Sequence, residues 1–228
     1  NVFYNLKPDA VLTIADRFET IATSIAAAYQ NIPLVHIQGG EVTGSIDEKV
    51  RHANTKLADL HLVASEDAKQ RVIKLGENPE KVINTGCPSI DLAKEIAEYP
   101  FLDFDPIEKY GGVGSELNWK EGYIVVMQHP VTTEYKQAKA HVTETLKAIR
   151  KLDFPAFWFW PNVDAGSDGT SNAIRTFREL EKPENIHFFK NMEPTDFLRL
   201  LKNSKALVGN SSAGLRECAY LGVPVVNI

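Results

Sequence analysis

Residues 9–41 read DAVLTIADRFETIATSIAAAYQNIPLVHIQGGE, and this stretch decides the fold. Residues 9–15 form an apolar run that predicts a buried strand, and residues 33–38 predict a second strand. Between them, apolar side chains in residues 18–30 recur at helical spacing on one face. A strand, a helix and another strand in this order are typical of a parallel sheet with helices packed on its faces.

The same alternation runs through most of the chain. Further strands are predicted at residues 60–65, 81–85, 123–128, 156–160, 186–189, 206–209 and 223–228, and further helices at residues 46–58, 66–75, 135–151, 172–180, 195–203 and 212–221. Residues 99–120 carry Pro, Gly and charge without clean periodicity, and we interpret them as a linker. The sequence therefore predicts an α/β protein of two similar halves, residues 1–98 and 121–228, with a central cleft.

The composition excludes several classes of protein. Of the 228 residues, 43% are hydrophobic and 24% are charged, which is typical of a globular protein and not of a collagen, a coiled coil or a disordered chain. The net charge of −5, without a block of like charge, argues against a nucleic-acid partner. No apolar run approaches the roughly 18 residues of a membrane-spanning helix, so no membrane partner is expected.

Two cysteines, Cys87 and Cys218, are too few for a disulfide framework, so a reducing, cytoplasmic setting is expected. No cluster of His, Cys, Asp and Glu has metal-ligand spacing, and neither cysteine has a histidine nearby in sequence. These patterns argue against a metal centre and against a nucleophilic cysteine. Because the chain starts close to one predicted strand and stops inside another, we expect it to be an interior segment, truncated at both ends.

Polar residues that follow strands are the candidate site, since ligands bind beyond the carboxyl ends of the strands in open α/β sheets. Asp16 and Arg17 follow the first predicted strand, where an acid and a base could accept a proton and hold an anion. Alternatively, Asp16 caps the helix that comes next.

The second predicted strand leads into His36, Gln38 and Glu41. Strand alternation places His36 and Gln38 on one face, and the two glycines between Gln38 and Glu41 allow a ligand to approach the backbone closely. On the next helix, Asp47 and Arg51 are four residues apart and could pair on one turn. That pair could serve the site or be a structural ion pair near a helix start.

The second half offers another group of candidates. His129 stands before a proline at a strand end, where it could donate a proton to a leaving phosphate or serve as a structural imidazole. Ser211 and Ser212 lie in a GNSSAG turn before a predicted helix, which is either a phosphate site or a plain serine cap. Asn162 belongs to a polar loop, residues 161–167, after another strand.

Taken together, these stretches resemble the hydrolysing UDP-N-acetylglucosamine 2-epimerases of the sialic-acid pathway. The matching strings, in the family's order, are DRFE (16–19), HIQGGEVTGSIDEKVRHA (36–53), GCPS (86–89), QHPVTTE (128–134), PNVDAGS (161–167) and GNSSAGLRE (209–217). The resemblance implies a glycosyltransferase-B-like fold of two Rossmann-like lobes, the second of which binds the nucleotide. It also implies a cytoplasmic homo-oligomer, a dimer or a tetramer, that acts on a UDP-sugar.

The implied reaction uses no cofactor and no metal. A base removes the proton at sugar C2 while UDP leaves C1, and water adds to the resulting glycal to release N-acetylmannosamine. By motif match, Asp16 and Asp47 are acid/base residues, and His129 acts at the leaving phosphate or the sugar. The implied substrate-binding residues are Arg17, Arg51, Ser211 and Ser212 for the anionic part, Glu217 for the ribose hydroxyls, and also His36, Glu41 and Asn162.

One catalytic position departs from the family, because well-known members carry a glutamate where this chain has Gln38. A carboxamide does not exchange a proton usefully, so Glu41, Asp16 and Asp47 are the candidates for the C2 base. Gln38 is then either an engineered substitution or a subgroup residue that binds instead of reacting. The sugar is open as well, since bacterial relatives act on UDP-N,N'-diacetylbacillosamine.

Three alternative functions remain from the sequence. They are a non-hydrolysing epimerase, a glycosyltransferase of the same fold, and a nucleotide-sugar-binding protein without activity. The extended GGEVTGSIDE string (39–48) favours the hydrolysing branch.

Overall fold

A computed structural model describes residues 2–43, 46–162 and 166–228. The chain divides into two compact units, Asn1–Pro88 and Ser89–Ile228. Among the residues so described, no helix is both long enough and apolar enough to span a membrane.

Within its described residues, the first unit contains a sheet of four parallel strands in the order β1-β2-β3-β4. Its elements are α1 (Val2–Leu6), β1 (Val11–Ile14), α2 (Phe18–Tyr29), β2 (Leu34–Ile37), α3 (Ile46–Leu57), β3 (Leu60–Val63), α4 (Glu66–Lys74) and β4 (Val82–Asn84). Because the strands are parallel, their carboxyl ends share one edge of the sheet. Residues 15–16, 38–41 and 85–87 follow those ends and are therefore gathered at that edge.

The part of the second unit that the structure describes contains a six-stranded sheet in the order β10-β9-β6-β7-β8-β5. Its elements are α5 (Pro88–Glu98), α6 (Pro106–Tyr110), β5 (Val113–Gly114), β6 (Ile124–Met127), α7 (Ala138–Lys151), β7 (Ala156–Phe159), α8 (Ser167–Glu181), β8 (Ile186–Phe189), α9 (Pro194–Lys202), β9 (Leu207–Gly209), α10 (Glu217–Leu221) and β10 (Val225–Asn227). Successive residues of β6 enter different cores, Val125 one cluster and Val126 the other, so apolar side chains pack on both faces of this sheet.

The segment interpreted as a linker, residues 99–120, is part of the second unit. It contains α6 and β5, and β5 pairs with β8 as an antiparallel edge strand. Lys109 and Tyr110 donate hydrogen bonds to the Asp196 carboxylate, at 2.5 and 2.6 Å. Composition did not reveal that this segment is structured, because the contacts that stabilise it join residues more than eighty positions apart.

The division between the units falls after Pro88, ten residues before the boundary expected from the sequence. The reason is packing, since Ala93 and Ile96 of α5 are buried in the same core as Tyr123 and Phe157 of the second unit. No helix was predicted at residues 88–98, and local periodicity would not have shown which core such a helix joins.

Most predicted elements are present, with ends shifted by a few residues. Two predicted helices are divided. The one expected at 212–221 consists of a 3₁₀ turn, Ser212–Gly214, followed by the short α10. The one expected at 135–151 begins as the 3₁₀ helix Thr132–Gln137 and continues as α7.

Candidate functional site

Two turns at the carboxyl edge of the first sheet adopt an uncommon backbone conformation. Ala15 follows β1 with φ 54°, and Gln38 follows β2 with φ 60°. Residues other than glycine pay about 1 kcal/mol or more for this left-handed region, and they occupy it where surrounding contacts hold them there. Adjacent strand ends that share this conformation make this edge a candidate functional site.

His36 of β2 supplies one of those contacts. Its side chain is fully buried, Nε2 lies 2.9 Å from the Ala15 carbonyl oxygen, and Nδ1 lies 3.1 Å from the Thr55 hydroxyl. Because a carbonyl only accepts, Nε2 carries the proton and Nδ1 accepts from Thr55. Burial lowers the pKa of His36 to about 4, so the ring is neutral at pH 7. His36 therefore holds the turn at Ala15, and we revise its role from substrate contact to support of the edge.

A buried neutral histidine predicts a loss of stability in acid. Between pH 6.5 and about 4 the unfolded chain binds a proton at His36 that the folded chain does not. The contribution is complete above pH 6.5 and is lost as the pH falls, up to about 3 kcal/mol for a pKa difference of this size. We expect the urea midpoint of the first unit, followed by far-UV circular dichroism, to fall over this window.

The control for the acid prediction is His36→Gln, whose amide N–H can still reach the Ala15 carbonyl. Its stability should change less with pH than that of the parent. Part of the slope should remain, because burial also lowers the pKa of His61. An identical slope in parent and variant would show that His36 does not control the transition.

Arg51 of α3 is the most buried charged side chain at this edge, with no exposed surface. Its guanidinium forms an ion pair with the Asp16 carboxylate and donates to the Glu41 carbonyl oxygen at 2.8 Å. Asp16 keeps 24% of its side-chain surface exposed, so it faces solvent from one side while Arg51 holds it from the other. Arg51 thus positions the Asp16 carboxylate, and its contact with the substrate stays a prediction.

The capping alternative for Asp16 is not what the structure shows. The N-cap position of α2 is Arg17, and no side-chain hydrogen bond caps that helix end. Arg17 is partly exposed and donates to the carboxylate of Glu19, at 3.0 Å for the shorter contact. It lies at the edge of the sheet, and its role in binding an anion stays a prediction.

Gln38 is 6% exposed, and its Nε2 donates to the Cys87 sulfur at 3.1 Å. Gly40, two residues on, has φ 80°, and a Cβ there would lie 2.3 Å from the Ala68 carbonyl oxygen. Glycine is thus required at Gly40 for close packing of the edge against α4, and the ligand approach inferred for the glycine pair stays a prediction.

Asp47 and Glu41 are both partly exposed, Asp47 in the first turn of α3 and Glu41 in the loop before it. The pairing of Asp47 with Arg51 and the proton-transfer roles of both acids stay predictions. Gly44 and Ser45, which belong to the resembling string, lie outside the described residues.

In the second unit, His129 is held from two sides. Its backbone N–H donates to Asn210 Oδ1 at 2.8 Å, and Asn210 Nδ2 donates back to the His129 carbonyl at 2.9 Å. The backbone N–H of Asn162 donates to His129 Nδ1 at 3.3 Å. An occupied Nδ1 acceptor places the proton of the neutral ring on Nε2, which makes Nε2 a hydrogen-bond donor.

The turn after β9 begins at Gly209, where a Cβ would lie 1.9 Å from the Met127 carbonyl oxygen. Ser211 uses its hydroxyl to accept from the Ala213 N–H, whereas Ser212 is exposed. Ser211 therefore acts as the cap, and the exposed Ser212 keeps the phosphate site as a prediction. Glu217 begins α10, and its buried Oε2 accepts no hydrogen bond from any residue that the structure describes.

The structure thus gathers the site candidates in two groups, each within one unit. Asp16, Arg17, Gln38, Glu41 and Arg51 lie around the edge of the first sheet, with His36 beneath it. His129, Asn162, Ser211, Ser212 and Glu217 follow strands of the second sheet or begin its short helix. The rest of the polar loop, residues 163–165, lies outside the described residues.

Sequence reasoning missed Asn210 as a residue of the site. It lay inside the quoted GNSSAG string, but only the fold shows that its amide joins the turn after β9 to the turn after β6. The contact of Cys87 with Gln38 was missed for the same reason, because it joins residues 49 positions apart.

Comparisons with known proteins agree with the architecture. The family model described as UDP-N-acetylglucosamine 2-epimerase matches residues 1–228. The chain is 34% identical to UDP-N,N'-diacetylbacillosamine 2-epimerase (hydrolyzing) of Legionella pneumophila, covering 100% of this chain and 58% of the relative. It is 35% identical to polysialic acid biosynthesis protein P7 of Escherichia coli, covering 99% and 56%.

The fold is shared with solved structures. The Methanocaldococcus jannaschii UDP-GlcNAc 2-epimerase in complex with UDP-GlcNAc and UDP superposes with a TM-score of 0.76 at 16% identity. That alignment covers 99% of this chain and 61% of the other. The chain therefore spans a little more than half the length of the curated relatives it matches.

Proposed function

Because this chain belongs to the UDP-N-acetylglucosamine 2-epimerase family, we propose that it carries the catalytic and nucleotide-binding residues of a hydrolysing epimerase. The reaction would convert UDP-N-acetylglucosamine to N-acetylmannosamine and UDP. The observation that carries the proposal is the Asp16 carboxylate, which a fully buried Arg51 holds at the carboxyl edge of the first sheet. A positioned, partly exposed carboxylate is the group that proton transfer at a sugar carbon requires.

In the first stage of the proposed reaction, a carboxylate of the first unit takes the proton from C2. The C2–H electron pair forms the C1–C2 double bond, and the C1–O bond breaks with its electrons going to the phosphate of UDP. His129 would donate from Nε2 to that phosphate oxygen, which the hydrogen bond at Nδ1 favours. Asp16, Asp47 and Glu41 are the candidate bases, since Gln38 does not titrate.

In the second stage, water adds to the glycal. Its oxygen bonds to C1 as one O–H bond breaks and that proton passes to a carboxylate of the site, and a proton returns to C2 on the opposite face, so the free sugar has inverted configuration at C2. A second carboxylate of the first unit would supply that proton. Two acids with distinct surroundings, Asp16 against Arg51 and Asp47 on α3, suit a reaction that needs one base and one acid.

The second unit would hold UDP. Ser212 offers an exposed hydroxyl at the start of the turn after β9. The buried Oε2 of Glu217, which the described part of the chain leaves without a donor, suits the hydroxyls of a ribose.

Replacing Ser212 with aspartate should weaken UDP binding at least tenfold, about 1.4 kcal/mol, because a carboxylate would then face the diphosphate. Isothermal titration calorimetry with UDP measures this effect. Ser171→Asp in α8 is the matched control, since it adds the same charge at a partly exposed serine of this unit outside the GNSSAG turn and outside the polar loop 161–167. Equal UDP affinity in the Ser212 variant and the parent would contradict the assignment.

Product identification tests the function itself. The full-length enzyme is incubated in D₂O with UDP-N-acetylglucosamine or with UDP-N,N'-diacetylbacillosamine, the sugar nucleotide in the Legionella relative's name. Mass spectrometry should show a free sugar with one deuterium at C2, together with UDP. A UDP-linked 2-epimer would identify a non-hydrolysing enzyme, sugar transfer to an added acceptor a glycosyltransferase, and UDP binding without turnover a binding protein.

A further inference from the structure

Cys87 joins two ends of the first sheet that are not neighbours. It follows β4, and its sulfur accepts a hydrogen bond from Gln38, which follows β2, at 3.1 Å. The strand order β1-β2-β3-β4 places β3 between them, so this contact crosses the end of a strand. Gly86, with φ 80°, makes the turn that delivers Cys87 to this position.

The backbone of Gln38 leaves its side chain little freedom. Its N–H donates to the Leu62 carbonyl at 2.8 Å, its φ is 60°, and the residue is 6% exposed. Depending on its rotation, the terminal carboxamide can present either an oxygen acceptor or two N–H donors. The bond from Nε2 to the Cys87 sulfur selects one of these orientations.

The selected orientation leaves Oε1 available. Among the residues that the structure describes, none donates a hydrogen bond to Oε1. A buried side-chain oxygen without a donor would be an unsatisfied polar atom, and Oε1 does not belong to that group. Oε1 therefore reaches solvent at the carboxyl edge of the sheet, beside the turn that carries Asp16.

We propose that Cys87 is a positioning residue that fixes the Gln38 carboxamide with its oxygen toward the sugar. Gln38 Oε1 would then accept a hydrogen bond from a donor on the sugar, a hydroxyl or an acetamido N–H. This inference rests on the proposed function, because the donor that it assigns to Gln38 Oε1 belongs to the sugar of the proposed substrate. It gives glutamine at position 38 a binding role, in place of the proton transfer that a glutamate would perform.

Calorimetry of the full-length protein with UDP and with UDP-N-acetylglucosamine tests the inference. Cys87→Ala should weaken binding of the UDP-sugar about five- to tenfold, the effect of one lost hydrogen bond, and leave binding of UDP unchanged. Cys87→Ser should restore most of the loss, because its hydroxyl oxygen can accept from Nε2. A general structural defect would instead weaken both ligands and would not be rescued by serine.

A double-mutant cycle identifies the route of the effect. In a Gln38→Ala background, Cys87→Ala should cause no further loss, since the group it orients is gone. Additive losses would overturn the proposal, as would equal affinities of parent and Cys87→Ala for the UDP-sugar. A parent protein that binds neither ligand would overturn the proposed function, which is a separate outcome read from the parent alone.

Thiol labelling gives an independent readout. Cys218 is fully buried, and burial raises its pKa to about 11, so an alkylating reagent at pH 8 should modify Cys87 and spare Cys218. UDP-N-acetylglucosamine should slow modification of Cys87 at least fivefold more than UDP does, because the sugar covers the Gln38 carboxamide. A fivefold difference corresponds to about 1 kcal/mol, since a tenfold difference is about 1.4 kcal/mol. Equal protection by the two ligands would count against a sugar contact at this edge.

Discussion

Replacing Arg51 with leucine is expected to lower the free energy of unfolding of the first unit by about 3–5 kcal/mol, the range for breaking a buried ion pair from one side. The guanidinium is fully buried, and its removal leaves the Asp16 carboxylate and the Glu41 carbonyl without their donor.

The tryptophans of the chain, Trp119, Trp158 and Trp160, all lie in the second unit, so their fluorescence does not report on this loss. Far-UV circular dichroism in urea, or amide exchange of β1 and β2, is the suitable measurement. Lys74→Leu is the control, because Lys74 is an exposed cation in the last turn of α4 in the same unit, so its loss should cost less than about 1 kcal/mol. Similar losses in the two variants would show that the Arg51 ion pair does not support this edge.

Replacing Asp16 with asparagine is expected to reduce turnover by about 10²–10⁴-fold, the usual cost of removing a positioned general base. Asparagine keeps the shape and an oxygen that can accept from Arg51, but it removes the charge that compensates the buried guanidinium, so the variant should be less stable while its folded form keeps the affinity for UDP. Asp47→Asn should behave in the same way if the two acids share the two proton transfers. The measurements are kcat and deuterium incorporation at C2, with UDP affinity determined in parallel.

An exposed acid of the same unit provides the control for these variants. Asp67 lies in the first turn of α4, and Asp67→Asn should leave turnover within about twofold of the parent, since surface substitutions away from a site have small effects. If Asp16→Asn and Asp47→Asn both keep parental turnover, neither acid exchanges the C2 proton. Glu41 is then the first residue to test.

Local patterns were sufficient for the elements and for the order of the motifs. The apolar runs predicted β1 to β4, and strand–helix alternation predicted parallel sheets, because both depend on side-chain spacing within a few residues. The same patterns failed at α6 and β5, whose order comes from contacts with Asp196 and β8. A segment without periodicity is therefore not necessarily a linker.

The sequence by itself determined the fold class, the family and the positions of the candidate side chains at strand ends. The tertiary structure alone decided which of those side chains contact one another. It pairs Arg51 with Asp16, 35 residues away. It buries His36 in hydrogen bonds with Ala15 and Thr55, and it places Gln38 in a hydrogen bond with Cys87. The physical reason is that the ends of parallel strands meet at one edge while their residues remain far apart in the chain. Spacing along the sequence reveals which residues reach that edge, but only packing decides which of them face a ligand and which hold the others in place.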